Sequence, residues 1–151
     1  MIEIKDIEKS FGDTQILKGI SAVFEAGKTN LIIGQSGSGK TVLLKSLLGI
    51  YEVDKGTISF DGRIYSDLSK NEKRELRTEI GMVFQGGALF DSMTVEQNVG
   101  FPLTMFTHKT KAEIKERVDF VLNRVNLVNA HTKKPSEISG GMQKRVAIAR
   151  A

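Results

Sequence analysis

The stretch Gly34-Gln35-Ser36-Gly37-Ser38-Gly39-Lys40-Thr41 decides the fold of this chain. It fits G-x-x-x-x-G-K-[ST], the P-loop pattern that cradles the phosphates of a nucleotide. Residues 29–33, a short and largely apolar run, precede it and are suited to a buried strand, and the largely apolar residues 42–48 follow it at helical length. Strand, glycine-rich loop and helix form the context that the motif requires, so the sequence predicts a site for ATP or GTP.

The residue types of this stretch match the chemistry of phosphate binding. Glycines let backbone N–H groups approach phosphate oxygens, and the loop opens a helix whose N-terminus favours an anion. The charge of Lys40 suits the β- and γ-phosphates, and the hydroxyl of Thr41 is placed to bind Mg²⁺. The predicted nucleotide-binding residues of this motif are Gly34, Gln35, Ser36, Gly37, Ser38, Gly39, Lys40, Thr41 and Val42.

A second glycine-containing motif lies near the other end of the chain, at Ser139-Gly140-Gly141-Met142-Gln143. Serine is a good N-cap, so we expect a helix that starts at Gly140. Its N-terminus would be a second anion-binding end with flexible glycines and a hydroxyl. Taken alone, the motif fits an ordinary capped surface helix better.

Together, the two motifs resemble those of ATP-binding-cassette (ABC) ATPases. The resemblance implies an α/β P-loop NTPase fold, with a RecA-like core, an antiparallel β subdomain and a helical subdomain. It also implies a head-to-tail dimer with a second copy, in which Ser139, Gly140 and Gly141 act in trans on the γ-phosphate. The expected ligands are ATP and Mg²⁺.

The resemblance extends along the whole chain. Residues 10–12 resemble the A-loop, so Phe11 is expected to stack on the adenine in place of the more usual tyrosine. Residues 81–85 resemble the Q-loop, in which Gln85 would reach Mg²⁺ and the attacking water while its loop contacts an integral-membrane permease subunit. Without the other motifs, Gln85 could equally be a polar residue at a strand end. The predicted catalytic residues are therefore Lys40, Gln85 and, in trans, Ser139.

Residues 86–99 look closest to the ATPase subunit of Mla/Mce-type lipid transporters of bacterial envelopes. Met142, where most ABC proteins carry glutamine, and residues 40–45 agree with this subfamily, whereas Gln35 is less usual in it. The resemblance predicts an ATPase subunit that couples ATP binding and hydrolysis to lipid transport. Since Met142 cannot hydrogen-bond as glutamine does, we expect it to act through packing or its backbone.

The family's Walker B aspartate, catalytic glutamate and switch histidine have no counterparts in this sequence. His108 and His131 lie in polar surroundings and are expected to be exposed to solvent. We therefore expect residues 1–151 to be the N-terminal part of a longer ATPase, truncated before Walker B, and to be inactive in ATP turnover by themselves.

The sequence pattern divides the chain into two lobes. Residues 1–86 are expected to form the nucleotide-binding core lobe and residues 87–151 a helical lobe that ends in the signature helix. Predicted strands cover 2–7, 16–24, 29–33, 56–60 and 80–84. Capping boxes at Ser69 and Thr110 predict helices, the first running to Thr78 and the second carrying an apolar stripe.

Composition limits the class of protein. Hydrophobic residues make up 40% and charged residues 26%, as in a globular chain, and the absence of cysteine excludes disulfides and thiolate metal sites. No apolar run approaches the ~18 residues of a membrane span. The net charge is +4, but the lysines and arginines are interleaved with aspartates and glutamates along the chain. No nucleic-acid partner is therefore expected. The resemblance implies a cytoplasmic protein, peripheral on the inner face of the cell membrane.

Two other functions remain open from sequence. A nucleic-acid-associated ABC-type ATPase would carry long coiled-coil insertions between the P-loop and the signature, and no sustained heptads occur here. A nucleotide-binding module without turnover is the other alternative for these 151 residues.

Overall fold

The computed structural model describes residues 1–151, which form two compact units, Met1–Ile80 and Gly81–Ala151. The first unit contains β1 (Ile2–Phe11), β2 (Thr14–Phe24), α1 (Lys40–Leu47), β3 (Lys55–Phe60), β4 (Arg63–Ile64), a 3-10 turn (Tyr65–Asp67) and α2 (Lys70–Thr78). The second contains α3 (Val95–Phe106), α4 (Lys111–Arg124), a 3-10 turn (Pro135–Glu137) and α5 (Gly140–Arg150). No helix combines the length and the apolar character needed to cross a bilayer.

The sheet of the first unit is antiparallel, with strand order β2-β1-β3-β4. Ile4 and Ile7 of β1 are both buried although they are three residues apart. The register shifts between them, and Asp6 has a φ of 52°, so the strand turns and returns its side chains to the core. This sheet is the antiparallel part of the fold that the resemblance implies. The buried core of the unit consists of Ile4, Ile7, Leu17, Leu43, Leu47, Ile58, Phe60 and Leu76.

Gly56 of β3 holds a conformation and a space that only glycine fits. Its φ is +85°, and a Cβ there would lie 2.4 Å from the backbone oxygens of Lys5 and Asp6. We expect Gly56→Ala to lower the free energy of unfolding by more than about 3 kcal/mol, since the backbone clash adds to the cost of about 1–2 kcal/mol of the left-handed conformation. Urea denaturation followed by circular dichroism measures this loss.

Gly62 offers a matched control for that substitution. Its φ is +80°, but a Cβ there would meet nothing within 4 Å. Gly62→Ala is therefore expected to lose only the conformational cost of about 1–2 kcal/mol. Equal losses for the two variants would contradict the close approach of β3 to β1 at Gly56.

Two predicted strands are wrong. Residues 29–33 and 80–84 form no strand, and the sheet contains neither segment. The side chains of Leu31 and Ile33 are 81% exposed, which also overturns the expected burial of the first segment. An apolar run predicts burial, but a strand forms only where a neighbouring strand supplies hydrogen bonds, and no such neighbour pairs with these segments here.

The second unit is a packed group of α3, α4 and α5. Its core is formed by Val95, Val99, Val118, Leu122, Leu127, Ala130, Ile138 and Val146. The Thr110 capping box is confirmed, since Thr110 Oγ1 accepts from Glu113 N while Glu113 Oε2 accepts from Thr110 N. The Ser69 box at the start of α2, in the first unit, is confirmed in the same way. The units divide after Ile80, whereas the sequence places the boundary between lobes after residue 86.

Asn98 is a fully buried polar side chain within α3. Its Oδ1 accepts from Phe90 N at 2.8 Å, and its Nδ2 donates to the oxygens of Phe90, Met93 and Thr94 at 3.0–3.3 Å. The amide therefore fixes the loop before α3 onto the helix, and because it is fully hydrogen-bonded its burial is not penalised.

Candidate functional site

The P-loop is organised around the ammonium group of Lys40. Its Nζ donates to the backbone oxygens of Gly34 and Gln35, each at 2.7 Å. A Cβ on Gly34 would lie 2.8 Å from Ser38 Oγ, so the backbone at Gly34 lies close to the Ser38 side chain across the loop. A positive charge is thus held against the exposed backbone of the loop, as suits an anion-binding loop.

Gly39 places this loop at the start of α1. It is the N-cap residue with a φ of 91°, and a Cβ there would meet Ile16 at 3.0 Å and Leu17 at 3.1 Å. No side chain caps the helix, and its first turn carries no acidic residue. The free N–H groups, the helix dipole and Lys40 therefore all favour a negatively charged group at this point.

Thr41 lies one residue into α1 and is exposed. Its hydroxyl makes no hydrogen bond within the protein, so the oxygen is available to a ligand. Hydroxyl oxygen beside phosphate oxygens is the donor chemistry that Mg²⁺ prefers, so the residues present fit this ion. The predicted site residues 34–42 are contiguous and form one loop and helix start in the first unit.

Phe11 is the last residue of β1 and is 45% exposed. Its ring forms a T-shaped pair with Tyr51, with centroids 5.2 Å apart and planes at 75°. An exposed aromatic ring whose position is supported by a second ring is suited to stacking on a nucleotide base. Sequence reasoning missed Tyr51, because the contact joins residues that are far apart along the chain.

Gln85 lies in the second unit, exposed and in a turn with Gly86. It does not end a strand, so the alternative interpretation as a strand-end residue is wrong. The loop that follows Gln85 is bound by Arg150, whose guanidinium donates to the backbone oxygens of Gly87 at 2.7 Å and Ala88 at 2.6 Å. Burial lowers the pKa of Arg150 from its usual value.

The second motif opens α5 as expected. Ser139 is the N-cap, and its Oγ accepts from Met142 N at 3.3 Å. The first turn has no acidic residue. A Cβ on Gly140 would meet nothing within 4 Å, and one on Gly141 would meet only Ser139 Oγ, at 4.0 Å. The helix start is therefore open to an anion. Met142 packs against the core of the second unit, in agreement with its expected packing role.

Three side chains that sequence reasoning missed fix α5 to surrounding loops. Gln143 donates to Pro135 O at 2.9 Å, and Arg145 donates to Val125 O and Asn126 O at 3.1 Å. Arg150 makes the contacts to the loop after Gln85. Only Arg150 carried a local signal, since it is the basic residue in the last turn of α5 and such residues often bind carbonyl oxygens.

The predicted exposure of His131 is wrong. Its side chain is only 23% exposed, and Nε2 lies 3.0 Å from Asp119 Oδ1. The pKa of Asp119 is lowered, chiefly by its hydrogen bond to Lys115 and less by His131. This cluster belongs to the helical unit, and it contains no third ligand that would make it a metal site. His108 is exposed, as expected.

Comparison with known proteins gives consistent results. A sequence profile of the ABC transporter family matches residues 17–151. The chain is 43% identical over 150 residues to a probable ribonucleotide transport ATP-binding protein, mkl, of Mycobacterium leprae, covering 99% of this chain and 43% of that protein. It is 44% identical over 151 residues to the methionine import ATP-binding protein MetN of Clostridium tetani, covering 100% of this chain and 47% of that protein.

A third relative is the intermembrane phospholipid transport system ATP-binding protein MlaF of Haemophilus influenzae, which is 40% identical over 151 residues and of which the chain covers 57%. Among solved structures, the dimeric ATP-binding cassette MJ0796 bound to ADP and Pi superposes with a TM-score of 0.87 at 30% identity, over 99% of this chain and 68% of that one. The chain spans about half the length of the curated relatives it matches.

Proposed function

This chain belongs to the ABC transporter family, as an ATP-binding domain, and from that premise we propose that it binds ATP and that the protein containing it hydrolyses ATP to drive transport. The observation that carries the proposal is the Lys40 ammonium, held across two loop carbonyls at an uncapped helix start without acidic residues. The two units correspond, in this proposal, to a nucleotide-binding core lobe and a helical lobe.

Within one subunit, Lys40 is the principal catalytic cation. On ligand binding it exchanges the carbonyls of Gly34 and Gln35 for phosphate oxygens, which form stronger, charge-assisted hydrogen bonds. Phosphoryl transfer is catalysed mainly by positioning and by stabilisation of negative charge, and the loop backbone together with Lys40 supplies both.

Thr41 and Gln85 are the proposed metal-binding and water-orienting residues. Mg²⁺, when bound, neutralises charge on the β- and γ-phosphates. The exposed and unpaired hydroxyl of Thr41 would hold that ion. The exposed amide of Gln85 has both a donor and an acceptor with which to orient a water molecule.

Ser139, Gly140 and Gly141 are proposed to complete the site of a second copy in a head-to-tail dimer. The open start of α5 supports this role, because it offers backbone N–H groups and a helix dipole to an anion from outside the subunit. A similar cassette has been solved as a dimer bound to ADP and Pi.

The proposed cargo is lipid, moved across or between bacterial envelope membranes, through an integral-membrane permease subunit that contacts the Q-loop and helical lobe. The likeness to MlaF supports this choice, together with residues 86–99 and Met142. The similar relatives named for ribonucleotide and methionine transport make those cargoes the competing candidates. The subunit would lie on the cytoplasmic face of the membrane.

Thr41 provides a test of the proposed metal role. We expect the chain to bind ATP about 10-fold more tightly with Mg²⁺ than with EDTA, a difference of about 1.4 kcal/mol. In Thr41→Ala this dependence on Mg²⁺ should disappear, while Thr41→Ser, which keeps the hydroxyl, should retain it. Isothermal titration calorimetry with and without Mg²⁺ measures both affinities. Equal dependence on Mg²⁺ in the alanine and serine variants would place the metal on other residues.

A further inference from the structure

Tyr51 contacts the ring of Phe11, which is expected to stack on the base, but none of the roles described above involves Tyr51. The T-shaped contact with Phe11 fixes the orientation of that ring. Phe11 nevertheless remains 45% exposed, so part of its ring stays open to a further aromatic group. The Phe11 ring is therefore supported by Tyr51 and remains partly exposed, so that a nucleotide base could stack on it.

The backbone around Tyr51 is fixed to the end of the phosphate-binding helix. Ile50 N and Tyr51 N both donate to Lys45 O, at 2.9 and 3.3 Å. Lys45 Nζ also lies 5.3 Å from the centroid of the Tyr51 ring and 3.5 Å from its hydroxyl. Since Lys45 belongs to α1, Tyr51 is joined to the helix whose first turn carries Lys40 and Thr41.

The same segment, residues 50–54, also holds the strand that ends in Phe11. The carboxylate of Asp54 accepts from Ser10 N at 2.6 Å and from Lys9 Nζ at 2.7 Å, and Asp54 N donates to Glu8 O at 2.9 Å. The pKa of Asp54 is lowered most by the hydrogen bond from Lys9 and next by the one from Ser10. Residues 50–54 thus connect the end of α1 to the end of β1.

We propose that Tyr51 is a positioning residue for the nucleotide base: it holds the Phe11 ring at a fixed place relative to the phosphate-binding helix. The proposal rests on the proposed binding of ATP and on the expectation, from the resemblance of residues 10–12 to the A-loop, that the base stacks on Phe11. A base stacks well only on a ring whose orientation is already set, because ordering a free side chain costs conformational entropy. Tyr51 supplies that order through α1, so base and phosphates are bound by one connected scaffold.

The test compares Mg-ATP with inorganic tripolyphosphate, which has the phosphates but neither the ribose nor the base. In Tyr51→Leu the affinity for Mg-ATP should fall about 3- to 10-fold, the range that corresponds to the loss of one aromatic pair. The affinity for tripolyphosphate should remain unchanged. Tyr51→Phe keeps the ring and should match the original chain with both ligands. Calorimetry gives the affinities, and the thermal unfolding midpoint confirms that each variant is folded.

A double-substitution cycle separates positioning from direct contact. Phe11→Leu should lower the affinity for ATP and not that for tripolyphosphate. If Tyr51 acts through Phe11, adding Tyr51→Leu to Phe11→Leu should cause no further loss. An additional loss in the double variant would mean that Tyr51 contacts the base itself, and would overturn the positioning role.

Two further results would also overturn the proposal. Equal losses for ATP and tripolyphosphate in Tyr51→Leu would show that Tyr51 only supports α1. Unchanged affinities for both ligands in Tyr51→Leu would show that Phe11 needs no support. The proposed function fails in a different way: the original chain would then bind neither ligand, or Phe11→Leu would leave the preference for ATP over tripolyphosphate intact.

Discussion

Replacing Lys40 with alanine is expected to weaken the binding of Mg-ATP by at least about 100-fold, or about 2.7 kcal/mol. The ammonium is the one cation of the loop 34–41, where it bridges Gly34 and Gln35. Hydrogen bonds to charged groups contribute about 1.5–3 kcal/mol each, and Lys40 is proposed to make at least one to phosphate. Calorimetric titration of the chain with Mg-ATP measures the loss.

The control for Lys40→Ala is Lys18→Ala, which removes the same charge from an exposed position on β2. Its affinity should stay within about 2-fold of the original, since long-range effects of exposed charges are screened by salt. If Lys40→Ala binds Mg-ATP as tightly as the original chain, the phosphates are held elsewhere and the P-loop proposal is wrong.

Replacing Ser139 with arginine is expected to abolish ATP-driven dimerisation while leaving ATP binding by the monomer within about 2-fold. Ser139 is the N-cap of an open helix start, and the glycines that follow it leave space there for a partner's phosphate. An arginine side chain would fill that space and block the closed interface. The measurement is light scattering of the full-length protein with a non-hydrolysable ATP analogue, alongside phosphate release with ATP.

Ser136→Arg is the matched control, because Ser136 is exposed and lies three residues earlier in the Pro135–Glu137 turn. This variant should dimerise and release phosphate normally. A dimer that forms equally well with arginine at 139 would place the contact between subunits away from the start of α5.

Local sequence signals predicted the helix starts well. The boxes at Ser69 and Thr110 and the cap at Ser139 each lie where the structure begins a helix. These predictions succeed because a cap satisfies N–H groups within three residues of itself, so all the information lies in a short window. The P-loop is similar, since the glycines, Lys40 and the helix start are contiguous.

Whether a segment forms a strand depends on pairing with residues that are distant in the sequence, so strands were predicted less well than helix starts. Residues 2–7 and 56–60 pair with each other in β1 and β3 and were predicted correctly, whereas 29–33 and 80–84 were not. Each of the four segments combines apolar residues with a length that suits a strand, so these features alone do not separate the strands that form from those that do not. The difference is the presence of a pairing strand, which is a property of the whole fold.

The supporting side chains of the candidate site could not be predicted from local patterns. Tyr51 contacts Phe11, and Arg150 contacts Gly87 and Ala88, across long stretches of chain. Sequence motifs identify the residues expected to bind a ligand. The residues that position those ligand-binding residues are determined by three-dimensional packing. Such support is needed for a precise site, which is why it is found beside Phe11 and beside the loop after Gln85.

The contact between Arg150 and the loop after Gln85 has an energetic consequence. Ala88 has a φ of 46°, a left-handed conformation that costs about 1–2 kcal/mol for a residue with a Cβ. The hydrogen bonds from the Arg150 guanidinium to the backbone oxygens of Gly87 and Ala88 offset this cost. They therefore stabilise a loop conformation that would otherwise be unfavourable. Arg150 lies at the end of α5, so the conformation of the loop that follows Gln85 depends on the position of that helix end.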